Sequence, residues 1–276
     1  MNRFLSLSLL LIAFVILCCD CCTTTFNHPS GRQLAAQEAD QTVALIYVNG
    51  KNYHTYCSGV FVSNSVLMTA NHCIEGITRH INETNEENST FEGLFPIISP
   101  TDITVQFALA SEITEVGKPT SALHNATVKA LFSGADVALL SIINPNSIKN
   151  HGVITMANKA PEQGDDISVI GHPDGFYFSF GRGVVAAIRS DIKYTPKMGP
   201  FIQISAPVWK GNSGGCAFNS SGECIGIASF LNGEAPQMSF YIHTDTILSI
   251  LRGSRILPTT INTLQPDPEL TGKLNE

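Results

Sequence analysis

Twelve short apolar runs, separated by segments rich in glycine, proline and asparagine, are the feature that most restricts how this chain folds. Each run has four to seven residues, which is a typical length for a β-strand and short for a helix. Six runs precede residue 144 and six follow residue 163. The pattern predicts an all-β fold, either two barrels or one sandwich. The predicted strands are Val43–Val48, Ser58–Val62, Val66–Thr69, Ile103–Leu109, Val128–Leu131, Val137–Ile143, Ile167–Ile170, Gly183–Ile188, Phe201–Ile204, Gly215–Phe218, Cys224–Ala228 and Phe240–His243.

The stretch 144–163 is rich in Pro, Asn and Gly, and it is the best boundary between two halves. We predict a folded domain over residues 42–255, with halves at 42–145 and 160–255. A polar linker at 23–41 precedes it and a polar tail at 256–276 follows it. One short helix is predicted at Thr244 to Arg252, capped by Thr244 or Asp245 and stopped by Gly253.

Residues 1–22 have the features of a targeting segment. Arg3 supplies a positive charge before an apolar run from Phe4 to Leu17, which has the length of a signal-peptide core. Cysteines follow the apolar run, at positions 18, 19, 21 and 22. Lipidation of Cys18 or Cys19, palmitoylation, and removal with the leader are the alternatives. We expect a secreted, periplasmic or extracellular protein, with membrane attachment through this segment as one alternative.

The charge balance argues against nucleic acid as a partner. The net charge is −7, whereas phosphate binding needs a basic face. The sequence also lacks the glycine patterns of dinucleotide-binding and P-loop proteins. We therefore expect no nucleic-acid partner and no nucleotide cofactor.

Ser213 lies in the stretch Lys210-Gly211-Asn212-Ser213-Gly214-Gly215, between two apolar runs. Glycines on both sides of one serine are typical of a tight turn that presents a hydroxyl beside free backbone N–H groups. Acyl transfer needs such an oxygen nucleophile and such donors. A plain Ser/Gly turn is the alternative if this stretch is considered alone.

Two residues further upstream complete a catalytic pattern. His72 follows a strand and precedes Cys73, and Asp136 stands at the start of a buried apolar run. A carboxylate in that position needs a partner. We predict that Ser213 attacks a carbonyl, that His72 carries its proton, and that Asp136 orients the imidazole. The N–H groups of Gly211 and Ser213 would then form the oxyanion hole.

Four cysteines remain beyond the leader. Cys57 and Cys73 flank one predicted hairpin, and Cys216 and Cys224 flank another, in which we expect them to face each other. An exported chain permits disulfides, with free buried thiols as the alternative. No Cys-x-x-Cys pair lies in the predicted domain, so we expect no metal site.

The motifs Thr-Ala-Asn-His-Cys (69–73), Ala-Asp-Val-Ala-Leu-Leu (135–140) and Gly-Asn-Ser-Gly-Gly (211–215) resemble the three signatures of chymotrypsin-fold serine proteases, in the same order. The resemblance implies two six-stranded antiparallel β-barrels, endopeptidase activity on proteins or peptides, and no cofactor. It also implies the Cys57–Cys73 bridge. The second half, with Ile-Gly-His-Pro at 170–173 and Gly-Arg-Gly-Val-Val at 181–185, is most similar to HtrA-like proteases. Too few residues follow Arg252 for their PDZ module, so we expect none here.

The family's spacing implies where the specificity pocket lies. Its base is expected near Pro207, with Lys210 at the rim, and its walls at Ser229, Phe230, Leu231 and Ser239. None of the base and wall residues is acidic, so we expect a neutral or small apolar preference rather than an Arg/Lys preference. Asn212 replaces the aspartate that pairs with a newly cut N-terminus in digestive members. We therefore hypothesise that this domain needs no such activating cleavage.

Two other functions fit parts of the sequence. A scaffold protein on a protease fold usually lacks a triad residue, but all three are present here. An α/β-hydrolase esterase matches Gly-x-Ser-x-Gly by letter, but that fold needs an acid and then a histidine after the serine. After Ser213 only His243 is available, and Asp245 follows it.

Overall fold

The computed structural model describes residues 41–50, 53–74, 104–113, 120, 122–190, 192, 199–232 and 235–256. The predicted leader at 1–22, and all but one residue of the linker and of the tail, lie outside these residues. Among the residues described, no helix has both the length and the apolar character that a membrane span requires.

Six antiparallel strands close into the first barrel in the order β1-β2-β3-β6-β5-β4. The order is reached by hairpins and one longer connection, and every neighbour pair is antiparallel. The strands are β1 Val43–Gly50, β2 Tyr53–Ser63, β3 Val66–Ala70, β4 Thr104–Leu109, β5 His124–Phe132 and β6 Val137–Ile142.

A second closed barrel repeats the arrangement in the order β10-β11-β12-β9-β8-β7. The prediction of two six-stranded antiparallel barrels is therefore confirmed, and the sandwich alternative is wrong. The strands are β7 Asp166–Gly171, β8 Ser179–Arg189, β9 Phe201–Ile204, β10 Cys216–Phe218, β11 Cys224–Asn232 and β12 Ala235–His243.

Strands β3 and β6 are buried on both faces because they lie between two cores. Along β3, Leu67 packs inside the first barrel, whereas Val66 and Met68 join a cluster that also contains residues of the second barrel. On β6, Leu140 packs inside the first barrel, and Leu139 belongs to the cluster that contains residues of both barrels. Successive side chains of a strand point to opposite faces, so a strand between two cores reads as an unbroken apolar run.

Several strands extend beyond their apolar runs. β2 begins at Tyr53, five residues before the predicted start, and β8 begins at Ser179, four residues before it. The added residues pair with a neighbouring strand, as His54 does with Asn49, but have mixed polarity. Apolar pattern alone therefore underestimates strand length, because ladder hydrogen bonds do not require apolar side chains.

Helix α1 spans Thr244–Gly253 and packs Ile247, Leu248 and Leu251 inward, as predicted. The predicted cap is wrong, because the cap is His243, whose Nδ1 accepts the backbone N–H of Asp245 at 3.1 Å. An imidazole nitrogen substitutes here for the usual hydroxyl or carboxylate oxygen. Burial lowers the pKa of His243, and nearby Asp245 opposes that shift.

Both predicted disulfides are present. Cys57 on β2 is bonded to Cys73 at a Cα–Cα distance of 6.4 Å, and Cys216 is bonded to Cys224 at 6.0 Å. The second pair does not lie directly opposite, because Cys216 pairs in register with Ile227 and Cys224 with Phe218. The register shifts between Ala217 and Phe218, and the bridge spans the hairpin diagonally.

Candidate active site

Pairing of β3 with β6 brings His72 and Asp136 together. Ala70, the last residue of β3, is opposite Val137, the first residue of β6. The ladder continues for one more bond, from the Asn71 N–H to the Asp136 carbonyl at 2.9 Å. Residues 71–74 then turn into a helical conformation, which places His72 immediately beside Asp136.

The Asp136 carboxylate holds the backbone and the ring of His72. Its Oδ1 accepts the His72 backbone N–H at 2.9 Å, and His72 Nδ1 lies 3.1 Å from Oδ1 and 3.0 Å from Oδ2. Asp136 is only 1% exposed, and Ser229 Oγ donates to Oδ2. A carboxylate only accepts hydrogen bonds, so the imidazole donates from Nδ1 and keeps the lone pair of Nε2 for another partner.

That partner is Ser213. Its Oγ lies 2.9 Å from His72 Nε2, within proton-transfer reach. The Ser213 carbonyl accepts the N–H of Ser58 from β2, at 2.8 Å, which fixes the backbone of Ser213 against the first barrel. Nowhere in the described part of the chain do three or more His, Cys, Asp or Glu side chains group closely enough to hold a metal ion.

The turn around Ser213 depends on two glycines with positive φ. Gly211 has φ +99 and Gly214 has φ +84, a region that side chains disfavour. The amides of Asn212, Gly214 and Gly215 donate to backbone carbonyls. Those of Gly211 and Ser213 have no acceptor among the residues described. Within the described residues, two N–H groups without a backbone acceptor thus flank the hydroxyl.

A pocket of about 260 Å³ opens beside Ser213. Phe230 forms part of its wall and stacks on Phe240 at 4.8 Å between ring centroids. Apart from His72 and Lys210, the lining carries no basic side chain, and no acidic one lines it. The lining consists of His72, Val208, Trp209, Lys210, Ser213, Ala228, Ser229, Phe230, Leu231, Phe240 and Tyr241.

The structure brings some of the predicted pocket residues together and separates others. Lys210, Phe230 and Leu231 are among the residues that line the pocket. Ser229 also lines it, but its hydroxyl is engaged by Asp136. Ser239 is fully buried and is not part of the lining. Pro207 borders a different, larger depression of about 560 Å³. Among its neighbours in sequence, Val208 and Trp209 line the first pocket.

The backbone of His172 packs against the turn that carries Ser213. Its backbone carbonyl lies against Gly211, where an added Cβ would come within 2.2 Å of the oxygen. Its ring is fully buried, and Nδ1 accepts the Phe178 N–H at 3.0 Å. Burial lowers the pKa of His172 to about 3, so the ring is neutral at physiological pH.

Sequence reasoning missed three residues that shape this site: Ser58, His172, and Ser229 in its contact with Asp136. Ser58 and Ser229 lie in no motif, and the Ile-Gly-His-Pro stretch around His172 contributed to the resemblance without indicating a role for the histidine. The available signal was a polar residue inside an apolar run, as in Cys57-Ser58-Gly59-Val60 and Ile227-Ala228-Ser229-Phe230. A buried polar group needs a partner, but the sequence does not say which one.

Comparison with known proteins gives one family match. Residues 57–227, more than half of the chain, match the model described as a trypsin-like peptidase domain. Protease Do-like 2, chloroplastic, of Arabidopsis thaliana is 34% identical over 127 residues, which are 44% of this chain and 21% of that protein. The periplasmic serine endoprotease DegP of Escherichia coli K12 is 38% identical over 94 residues, 34% of this chain and 19% of DegP. The chain thus spans about a fifth of the length of these relatives.

Solved structures share the fold. The HtrA-type protease AlgW with a tripeptide superposes with a TM-score of 0.62 at 22% identity, covering 90% of this chain and 73% of that one. The serine endoprotease from Yersinia pestis gives a TM-score of 0.58 at 21% identity, covering 82% and 66%. At these identities the comparison speaks for the architecture alone.

Proposed function

We propose that this chain, which belongs to the trypsin-like peptidase family and is similar to its HtrA-like members, is a serine endopeptidase. Its proposed catalytic residues are Ser213, His72 and Asp136. The observation that supports this most strongly is the continuous contact from Ser213 Oγ through the imidazole to a buried carboxylate, at 2.9 and 3.0 Å.

In the proposed reaction, Ser213 Oγ attacks the carbonyl carbon of the scissile peptide bond. The hydroxyl proton moves to His72 Nε2, and the resulting imidazolium is stabilised by Asp136. When the C–N bond breaks, His72 gives this proton to the leaving amine, and an acyl group remains on Ser213. Water then attacks the acyl carbon by the same route, which releases the acid and restores the serine.

The oxyanion that forms in each step would accept hydrogen bonds from the N–H groups of Gly211 and Ser213. Both amides flank the nucleophile and have no other acceptor among the described residues. Donors fixed before the reaction need no reorganisation when the charge appears. Loss of one such donor typically costs about 10² to 10³ in turnover.

The pocket supports a preference for an apolar residue before the cleaved bond. Its walls are aromatic and aliphatic, and no carboxylate is available to pair with Arg or Lys. Lys210 at the rim is exposed and favours acidic residues nearby in the substrate. The leader at residues 1–22 and the periplasmic location named for DegP support action outside the cytoplasm, with lipid attachment as the alternative to release.

A peptide library analysed by mass spectrometry tests the proposal. The purified chain is expected to cleave after apolar residues, and Ser213→Ala is expected to abolish cleavage at every site. Cleavage that persists in Ser213→Ala, or a folded protein that cleaves none of the library, would refute the proposed activity.

A further inference from the structure

The oxyanion donors are only as well placed as the peptide groups that carry them. Gly211 joins two such groups, because its N–H belongs to the Lys210–Gly211 peptide and its carbonyl to the Gly211–Asn212 peptide. Gly211 has the freest backbone of any residue type, so the turn itself does little to fix either plane. Contacts from outside the turn must do so.

Ser58 supplies such a contact from the first barrel. Its Oγ donates to the Gly211 carbonyl at 2.8 Å, and the other side of the same peptide is held by the bond from Asn212 N–H to the Trp209 carbonyl at 3.1 Å. The neighbouring peptide is held in turn, because the Lys210 carbonyl accepts the Asp174 N–H at 2.7 Å. Both carbonyls are therefore engaged. Because the C=O and N–H of a trans peptide point in opposite directions, the Gly211 N–H points away from Asp174.

Ser58 is itself rigidly held. It is fully buried, its N–H donates to the Ser213 carbonyl at 2.8 Å, and its own carbonyl accepts Thr69 Oγ1 at 2.7 Å. One residue therefore fixes the carbonyls of both Gly211 and Ser213. A misplacement of about 1 Å in such a site can cost about 10²-fold in rate.

We infer that Ser58 is a positioning residue for catalysis. Its hydroxyl holds the turn 211–213 so that the N–H groups of Gly211 and Ser213 are available to the oxyanion. This inference rests on the proposed peptidase function. Ser58 touches no reacting atom, and it acts through the Gly211 carbonyl. The first barrel would thereby control electrostatic stabilisation in a turn that belongs to the second.

Ser58→Ala tests this inference, with Ser147→Ala as the matched control. The Ser147 hydroxyl also donates to a backbone carbonyl at 2.8 Å, that of Asn144, but in the connection between the barrels. Two readouts are needed. One is kcat and KM on a peptide substrate. The kcat is calculated per reactive serine, whose concentration is determined by titration to the end point with a fluorophosphonate. The other is hydrogen exchange at the Asn212 amide, measured by NMR well below the melting temperature.

We expect Ser58→Ala to lower kcat by about 10-fold to 10²-fold, with KM changed less than about twofold, and to speed exchange at Asn212 at least tenfold. Ser147→Ala should change neither. Faster exchange at Asn212 in a protein that never hydrolyses peptides would support the role of Ser58 in the turn and overturn the peptidase proposal instead. Unchanged kcat and unchanged exchange in folded Ser58→Ala would overturn the inference about Ser58 and leave the peptidase proposal standing.

Discussion

At the level of single residues, Asp136 combines an unfavourable backbone conformation with a buried charge, and its hydrogen bonds compensate for both. Its backbone is left-handed, with φ 57, and its carboxylate is 1% exposed. Left-handed backbone and an unpaired buried charge are each unfavourable. Hydrogen bonds from the His72 backbone, the His72 ring and Ser229 satisfy the carboxylate. The stabilising contacts are also the ones that orient the imidazole.

Asp136→Asn should therefore lower kcat by about 10³ to 10⁴-fold while the protein stays folded, because an amide can donate to Nδ1 and stabilise the wrong tautomer. Peptide hydrolysis at saturating substrate measures this. The control is Asp245→Asn, which alters a His–Asp contact away from the site, where His243 Nδ1 lies 3.4 Å from Asp245 Oδ2. Loss of activity in the control alone would contradict the assignment.

His172 predicts a pH dependence of stability. Its folded pKa is about 3, below the ordinary value of 6.5. The unfolded chain therefore binds one more proton between these values, and the free energy of unfolding falls as pH decreases from about 6.5 towards 3. The slope approaches about 1.4 kcal/mol per pH unit.

His172→Asn keeps an acceptor near the Phe178 N–H and removes the titration. Urea unfolding at pH 7.5, 6.0 and 5.0 should show a shallower loss of stability in this variant than in the parent chain. His54→Asn, which alters an exposed imidazole, is the control. Equal slopes in the parent and His172→Asn would show that His172 is not the group responsible.

At the scale of elements, β3 and β6 position the site and connect the two cores. Their apolar runs could be read from the sequence because both faces are buried, and so could the motifs at their ends. The contacts of Ser58 and Ser229 could not be predicted from the sequence, because their partners lie 153 and 93 positions away in the chain. The cap by His243 was missed for a different reason, since an imidazole is an unusual cap.

The shared burial of β6 gives a stability prediction. Leu139→Ala removes a fully buried side chain from the cluster that joins the barrels, and it should lower the free energy of unfolding by about 2 to 4 kcal/mol. Ile143→Ala, one residue beyond the same strand and 45% exposed, should cost less than about 1 kcal/mol. Similar losses in both variants, measured by urea unfolding, would contradict the two-core description of β6.

At the scale of the whole molecule, one apolar cluster contains residues of both barrels, including Met68 and Leu139 from the first and Ile170 and Ile227 from the second. Because the proposed catalytic residues are divided between the barrels, we expect this shared cluster to fix their relative position. The spacing of apolar runs predicted an all-β fold, either two barrels or one sandwich, and the family resemblance implied the two barrels. The sequence alone did not show that the barrels share a core.

A shared core predicts that both barrels unfold together. The chain has a single tryptophan, Trp209, in the second barrel's pocket. Its fluorescence and the far-ultraviolet circular dichroism of the whole chain should therefore give coincident urea transitions. A fluorescence transition separated from the dichroism transition would indicate that the barrels unfold independently.

Reaction of the full, uncleaved chain with a fluorophosphonate, followed by mass-spectrometric mapping of the adduct, tests the central claim most directly. His72 Nε2 lies 2.9 Å from Ser213 Oγ, and the neighbour of Ser213 is Asn212 rather than an aspartate. We expect one adduct, on Ser213, and a labelling rate at least about 10³-fold lower in His72→Ala. An adduct on another residue, no adduct on the folded protein, or labelling that appears only after an internal cut would contradict it.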